Sequence, residues 1–529
     1  MLRRPVRFLF SGYFVSAMII ILEVVLIFWF ALELSAYSGY ILAAMLLVCV
    51  VSAVVVLNAD YNPEYKITWL FIIIFLPGLG TLLFILFRRK KMSRRDARRS
   101  MEILDAMDEF SEGEVPMHEL REASGLAAGK AQAIITDSPT SALYRGTAST
   151  FYSHGEDMYE AMLADLERAE RFIFIEYFII EGGVMWDGIA EILRRKAKAG
   201  VEVRVMYDDV GSMSTLPRGF NARLRADGIK TATFGKVSPR ISSAHNNRDH
   251  RKFLIVDGRV GYTGGINLAD EYINAVMRFG YWKDGGIRLV GDSVVGFTKL
   301  FLWLWDMTTG KRSEYERYLT RPPVLGKDAS DSEASEDVAT DTKGEDDGFY
   351  LPYGSGPVPV YQRHVGERAF LDIINQAQRY VYIATPYLII NHDLTDALRG
   401  AALRGVDVRI ITPGTADKKL VKMLTKSAYP YLMEAGVKIY EYAPGFIHEK
   451  TVVSDDEYAI VGSINFDYRS LIHHYEDAVW IYRSSTIPHI RAEYERTLAE
   501  CRIMTRKRAR LTLKERIVRG FIRLFAPLL

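Results

Sequence analysis

The sequence predicts a duplicated α/β protein behind an N-terminal helical transmembrane region. Three observations predict it. Apolar stretches fill most of the first 87 residues, a strand–helix–strand unit recurs in the two halves of the remainder, and each half carries the same short polar string. The 529 residues and 60.1 kDa allow three to four domain-sized units. At 49% hydrophobic and 25% charged residues, the chain is neither disordered, collagen-like nor disulfide-stapled. Its two cysteines, Cys49 and Cys501, are far apart, which argues against a disulfide framework and fits a reducing, cytoplasm-facing setting.

The apolar stretches span 8–34, 41–57 and 67–87. Each approaches the ~20 residues that cross a ~30 Å hydrocarbon core. A cleaved signal peptide has a shorter core and would not be followed by two more such stretches. Trp69 fits an interfacial anchor, and Leu76-Pro77-Gly78 should kink the third stretch. Glu23, inside the first stretch, is a charge at membrane depth and so a candidate functional group. Arg88, Arg89, Lys90, Lys91, Arg94, Arg95, Arg98 and Arg99 follow, opposed by Asp96 alone, and place this end in the cytoplasm. Arg3, Arg4 and Arg7 make the same demand of the other end. Three full crossings cannot satisfy both, so one stretch is re-entrant or interfacial, or the N-terminus is outside. The domain boundaries expected are therefore 1–91 for two to three spans and 92–134 for a juxtamembrane helical linker.

Beyond residue 134 the pattern alternates. A strand at 171–177, a helix at 186–199 and a strand at 201–206 are matched by a strand at 379–387, a helix at 393–403 and a strand at 406–411. The strings AGVEVRV from Ala199 and RGVDVRI from Arg404 are nearly the same, with Gly200 and Gly405 ending each helix. This alternation predicts parallel sheet with crossover helices over domains at 135–324 and 349–500. Between them, 325–348 reads as an acidic disordered insert, or else an acidic interaction segment. The net charge of +2 hides it, because 65 basic residues face only 56 acidic ones elsewhere.

The chemistry lies in the repeated string. His250-Arg251-Lys252, four residues and Asp257 precede Gly264-Gly265-Ile266-Asn267. His448-Glu449-Lys450, four residues and Asp455 precede Gly462-Ser463-Ile464-Asn465. One HxKxxxxD has a chance expectation of about 0.03 in a chain this long. Two copies in matching settings are therefore a strong signal. Alternate residues of a strand share a face, so each half presents an imidazole beside an ammonium, with Arg251 and Glu449 pointing elsewhere. If the halves pair about a pseudo-twofold axis, two His and two Lys converge on one pocket suited to a phosphate diester. One His would attack phosphorus, and the other would protonate the leaving alkoxide. A metal centre is the next reading, with His245, His473 and His474 as nitrogen donors. Neither repeat, however, has zinc-like ligand spacing, and no cofactor or metal is expected. No G-x-S-x-G elbow supports a serine hydrolase.

These strings resemble the HKD motifs of the phospholipase D superfamily, and the chain is similar to the bacterial cardiolipin synthases within it. The likeness extends to Asn247–Lys252, Tyr262–Asn267, Asp270–Tyr272, Gly462–Ser470, the Leu76-Pro77-Gly78 hairpin and the closing Ala526-Pro527-Leu528-Leu529. The resemblance implies two phospholipase D-like α/β sandwich domains related by pseudo-twofold symmetry, and a reaction through phosphohistidine. It implies His250 as nucleophile and His448 as acid, then base, with Lys252, Lys450, Asn267 and Asn465 on the phosphoryl oxygens and Ser463 as a further donor. An acidic group is implied behind each His: Asp284, 34 residues after His250, and Glu476, 28 residues after His448. Asp257 and Asp455 would bond within the turn after each strand. The implied substrates are phosphatidylglycerol and cardiolipin in an anionic bilayer of the bacterial plasma membrane.

The tail, 501–529, holds nine Lys/Arg against Glu515. Leu513, Ile517, Phe521, Leu524, Phe525 and Leu528 fall on one helical face, which reads as a basic amphipathic helix on anionic lipid. The rival classes are a tethered phospholipase D or nuclease using water, and a non-catalytic scaffold. Three apolar stretches sit poorly with a nuclease, and no nucleic-acid partner is expected. A homo-oligomer is left open.

Overall fold

A computed structural model describes residues 18, 21–27, 29, 38–88, 92–236, 247–320, 348–358, 360–361, 364–508 and 513–526. Arg3, Arg4, Arg7, His245 and the acidic insert lie outside them. The chain divides into two compact units: 1–90 with 237–246 and 520–529, and the rest.

In the first unit, residues 21–27 are helical and Ser38–Asn58 is one apolar helix. Within it, Gly39–Asn58 is long and apolar enough to cross a membrane, with most of its surface outward. The third apolar stretch is not one continuous helix. It breaks into Pro63–Phe75 and Leu79–Phe87, only about 20 and 14 Å long. The reason is local: Pro77 removes a donor, and Gly78 adopts φ 84°, a left-handed turn open to glycine. The two helices fold back on each other, with Trp69 and Phe84 rings 5.3 Å apart. Gly80 makes this approach possible, because a Cβ there would meet Ile72 O at 2.3 Å. Glu23 accepts from the Leu79 N–H at 3.0 Å, so it caps the second short helix. The far end of the tail packs here too. Thr68 Oγ1 donates to Leu524 O at 2.6 Å, and the Phe71 and Phe525 rings are 6.2 Å apart. The side chains of Leu513, Ile517, Phe521 and Leu528 lie outside the described residues.

The second unit holds two mixed sheets. The first uses β1 (Thr147–Tyr152), β2 (Phe172–Tyr177), β3 (Glu202–Asp208), β4 (Lys230–Phe234), β5 (Lys252–Val256), β6 (Val260–Gly264) and β8 (Gly286–Gly291), with β7 (Tyr281–Lys283) set apart. The second uses β9 (Phe349–Ser355), β10 (Tyr380–Ala384), β12 (Asp407–Pro413), β13 (Lys438–Tyr442), β15 (Thr451–Ser454), β16 (Tyr458–Gly462), β18 (Glu476–Tyr482) and β19 (Cys501–Ile503). Short pieces β11 (Leu388–Ile389), β14 (Gly445–Ile447) and β17 (Phe466–Asp467) complete the set.

The first sheet runs β4-β3-β2-β5-β6-β8-β1, and the second β13-β12-β10-β15-β16-β18-β9 with β19 added outside β13. The duplication read in the sequence is thus a duplication of strand order. The expected parallel pairs are present, β2 with β3 and β10 with β12. The motif strands β5 and β15 instead run antiparallel to β2 and β10, so the sheets are mixed rather than parallel. A three-residue hairpin, not a crossover helix, leads from β5 to β6 and from β15 to β16. Every residue of β2 and β5 is buried, as their unbroken apolar patterns require.

The helix Val294–Thr309 is buried through most of its length and touches strands of both sheets, including β5 and β9. Helices Arg94–Asp108, Met117–Ala123 and Gly125–Asp137 cover 92–137, and Trp303 Nε1 donates to Ser100 Oγ at 2.9 Å. The segment expected as a linker therefore packs against the α/β body. Residues 501–503 likewise belong to the sheet and not to the tail helix, which begins at Leu513. Cys49 and Cys501 are free thiols.

Candidate active site

His250 and Lys252 stand at the start of β5, and His448 and Lys450 at the start of β15. Each imidazole is held by the opposite half. The His250 backbone N–H donates to Tyr475 O at 2.9 Å, and the His448 backbone N–H to Lys283 O at 2.7 Å. His250 Nδ1 lies 2.9 Å from Glu476 Oε2, and His448 Nδ1 lies 2.7 Å from Asp284 Oδ2. The carboxylates expected behind the two histidines are present, but they are exchanged. Asp284 serves His448, and Glu476 serves His250. The cause is strand placement: β7 pairs parallel with β14, and Asp249 bridges Tyr475, so each acid-bearing segment crosses to the other half.

A carboxylate only accepts, so each Nδ1 carries the proton and each Nε2 keeps its lone pair. Lys450 Nζ approaches His448 Nδ1 at 2.9 Å, but that nitrogen is already a donor to Asp284; the ammonium instead donates to the His448 carbonyl. Lys252 Nζ donates to the His250 carbonyl at 2.6 Å. Arg251 turns away, to Glu176 at 2.7 Å.

Burial pushes His250 well below its ordinary pKa, and Lys252, Lys450, His448 and Arg469 push it further. Those groups come from both halves, so the two repeats share one electrostatic site. Burial and Lys450 bring His448 down to about 4 against the pull of Asp284. Burial lowers Lys252 to about 8 and Lys450 to about 7, although neighbouring carboxylates oppose the shift. Two neutral imidazoles and two ammonium groups that lose their charge near neutrality are groups suited to binding and transferring a phosphoryl centre.

A family profile described as "Cardiolipin synthase, PLD-like domain" matches residues 162–277 and 370–498, and one described as "Phospholipase_D-nuclease N-terminal" matches 45–89. The chain is 32% identical to a cardiolipin synthase of Alkalihalophilus pseudofirmus, over 83% of this chain and 84% of that protein. The chain belongs to the cardiolipin synthase family of the phospholipase D superfamily. It is thus a phosphatidyltransferase of that superfamily. An uncharacterized protein of Streptococcus mutans is 40% identical over 90% of this chain and 99% of its own length. Among solved structures, phosphatidylserine synthase of Haemophilus influenzae superposes with a TM-score of 0.52 at 13% identity, covering 72% of this chain and 94% of that one, a likeness of fold.

The remaining motif residues of this cardiolipin synthase homologue fall into two groups. Asp257 and Asp455 lie just past the far ends of the motif strands, seven residues on from the histidines. They were expected to bond within their own turns, but their carboxylates reach instead to the start of the neighbouring strand. The Asp257 carboxylate accepts from the N–H groups of Glu170, Arg171 and Phe172 at 2.8, 2.7 and 2.8 Å. Asp455 does the same with Gln378, Arg379 and Tyr380 at 2.7, 2.8 and 2.9 Å. Both aspartates adopt left-handed φ, 55° and 57°, which aims each carboxylate across at the neighbouring strand start. The repeated spacing to Asp therefore ties the motif strand to β2 or β10.

Closer to the histidines, Asn267 accepts from Ile179 N–H at 3.2 Å and donates to Tyr272 Oη at 2.7 Å. Asn465 donates to Ser470 Oγ at 3.1 Å, and its Oδ1 has no partner among the described residues. Ser463 Oγ donates to Glu476 Oε2 at 2.5 Å, so it braces the carboxylate behind His250.

Sequence reasoning did not single out Asp477, His474 as a neighbour of His250, or Trp282. The Asp477 carboxylate accepts from Lys252 N–H at 3.1 Å and from Thr263 Oγ1, and burial raises it to about 7. The His474 ring is 5.4 Å from that of His250, and the Trp282 ring is 5.4 Å from that of His448. Aligning Trp282-Lys283-Asp284 with His474-Tyr475-Glu476 would have found both. A cavity of 1210 Å³ is lined by none of the motif residues; Tyr475, whose carbonyl accepts from the His250 backbone N–H, stands on its wall, and Lys230, Lys236 and Arg312 are among its basic lining.

Proposed function

We propose that this chain is a membrane-bound cardiolipin synthase that joins two phosphatidylglycerol molecules. The observation that carries this reading is the exchange of carboxylates, which supports two oriented imidazoles from different halves acting on one phosphodiester. The Lys252 and Lys450 ammonium groups bind its non-bridging oxygens. The His250 Nε2 lone pair attacks phosphorus, the bond to the glycerol headgroup breaks, and His448 delivers a proton to the departing alkoxide. Burial and Lys450 hold His448 neutral in the free enzyme. A bound phosphodiester anion offsets the lysines and raises its basicity, which favours the protonated acid. A second phosphatidylglycerol hydroxyl then gives its proton to His448 and attacks phosphorus. Cardiolipin leaves and His250 is restored. The pseudo-twofold relation of the halves is the symmetry this division of labour uses.

The membrane arrangement follows from the hairpin. If 8–34 and Ser38–Asn58 are the two crossings, an even number returns the chain to its starting face. Arg3, Arg4 and Arg7 then share the cytoplasm with the cluster from Arg88 to Arg99, and the conflict in the sequence disappears. The basic tail adds a third attachment to anionic lipid.

The test is product analysis after incubating the purified full-length protein with phosphatidylglycerol vesicles. Cardiolipin and glycerol in equal amounts are expected. Phosphatidic acid and glycerol would make water the acceptor, and unchanged lipid would overturn the enzymatic reading.

A further inference from the structure

One buried imidazole takes no part in the reaction above. His474 stands two residues before Glu476, where the other half has Trp282 two residues before Asp284. Its ring is 7% exposed and 5.4 Å from that of His250. Neither of its nitrogens has a hydrogen-bond partner among the described residues, and neither does Glu476 Oε1. His474 Nδ1 and Glu476 Oε1 are 3.6 Å apart, too far for a hydrogen bond. An open imidazole beside an open carboxylate oxygen, both out of water, is unfavourable unless something fills the gap.

The donor atoms of His250, His474 and Glu476 all lie within 4.8 Å of one another. Two imidazole nitrogens and one carboxylate oxygen form the donor set of open, three-ligand sites for zinc-like ions, not for Mg²⁺ or Ca²⁺. We propose that His250, His474 and Glu476 bind a divalent transition-metal ion of the zinc class, and that the bound ion halts phosphatidyl transfer by engaging the nucleophilic imidazole. Binding stands on geometry alone, whereas the inhibition rests on the function proposed above. Either ring nitrogen of His250 suffices. An ion on Nε2 occupies the attacking lone pair, and an ion on Nδ1 leaves the ring proton on Nε2. Lys252 and Lys450 oppose a cation, so the ion is a reversible inhibitor and not a resident one. Their ammonium groups donate to the His250 and His448 carbonyls. The other half cannot build such a site, because Trp282 offers no lone-pair donor.

The experiment titrates Co²⁺ into the detergent-purified full-length protein without lipid, follows visible absorption, and competes with Zn²⁺. In parallel, Zn²⁺ inhibition of phosphatidylglycerol turnover is measured, each variant against its own uninhibited rate. One Co²⁺ per chain, displaced by Zn²⁺ but not by Mg²⁺, is expected. His474→Phe and His474→Gln, checked for folding by thermal melting, should each lose the absorption and need at least tenfold more Zn²⁺ for half-inhibition. No Co²⁺ spectrum in the wild type, or spectra and inhibition unchanged in a folded His474 variant, would overturn the proposal. A chain that binds Co²⁺ yet makes no cardiolipin would retain the site and remove the function. One that makes cardiolipin and binds no Co²⁺ would do the reverse.

Discussion

The surroundings of His250 and His448 are built by the same backbone and finished by different side chains. Each imidazole meets a carboxylate from the opposite half, and each histidine's backbone N–H donates to a carbonyl there. Around His250 the finish is mixed: the longer Glu476, braced by Ser463, with His474 alongside and the Phe178 ring edge-on at 5.0 Å. Around His448 it is aromatic: the shorter Asp284, held by the Gly285 N–H at 2.9 Å, with Tyr272, Trp282 and Phe446 at 5.5, 5.4 and 6.0 Å. Gly265, the counterpart of Ser463, leaves no room for a brace, because a Cβ there would sit 2.1 Å from Asp284 Oδ1. Duplication supplies two similar imidazoles, and only the finishing residues can make one a nucleophile and the other an acid.

The comparison breaks most visibly when either ring is removed. His250→Ala and His448→Ala should each lower turnover by about 1,000-fold or more with the protein still folded and inserted. Activity within tenfold of wild type in either would end the two-imidazole account. Glu476→Gln and Asp284→Asn test the exchange. Each should cost about 100-fold by misplacing the ring proton of the histidine in the other half. NMR of ring-labelled histidine should show the tautomer change at His250 for Glu476→Gln and at His448 for Asp284→Asn. Gly265→Ser should approach the Asp284→Asn loss, because the new side chain displaces that carboxylate. Ser463→Ala should cost only about tenfold, the worth of one hydrogen bond to a charge at about 1.5 kcal/mol.

Smaller effects sharpen the picture. A lysine with a lowered pKa carries its charge below that value and loses it above. In the free enzyme, kcat/KM should therefore fall several-fold as pH rises through about 7 and 8, the values for Lys450 and Lys252. Below 6.5 the rate should keep rising, because His250 resists protonation while His448, at about 4 in the free enzyme, gains the proton its acid role requires. Lys450→Arg, charged at all accessible pH, should move the alkaline fall upward. If it does not, Lys450 is not the titrating group. Asp257→Ala and Asp455→Ala should act on stability alone, by about 2–3 kcal/mol in denaturant midpoint, since each leaves three strand N–H groups without their acceptor.

Much of this site was legible because HxK on a strand and G-x-x-N after it are local patterns, and two copies point to one cleft. The partners of the histidines were not. Glu476 lies 226 residues from His250 and Asp284 lies 164 from His448, so no periodicity connects them, and pairing within each half was the natural guess. Asp257 and Asp455 show the same limit: spacing located the residues but not the strand starts they hold. The third apolar stretch was expected to kink at Leu76-Pro77-Gly78, and the extent of that break was hidden for a different reason. Hydropathy reports what a segment avoids, not where it turns, and only Pro77 and Gly78 marked the reversal. Strand order was readable as a repeat, yet the antiparallel motif strands were not, because fully buried strands read alike in either direction.

The most direct test is to trap the covalent intermediate. Full-length protein mixed rapidly with phosphate-labelled phosphatidylglycerol, quenched in alkali and digested, should yield label on the peptide bearing His250. That label should chase into cardiolipin when unlabelled lipid is added. Label on the His448 peptide, or on neither imidazole during steady turnover, would contradict the division of labour between the halves.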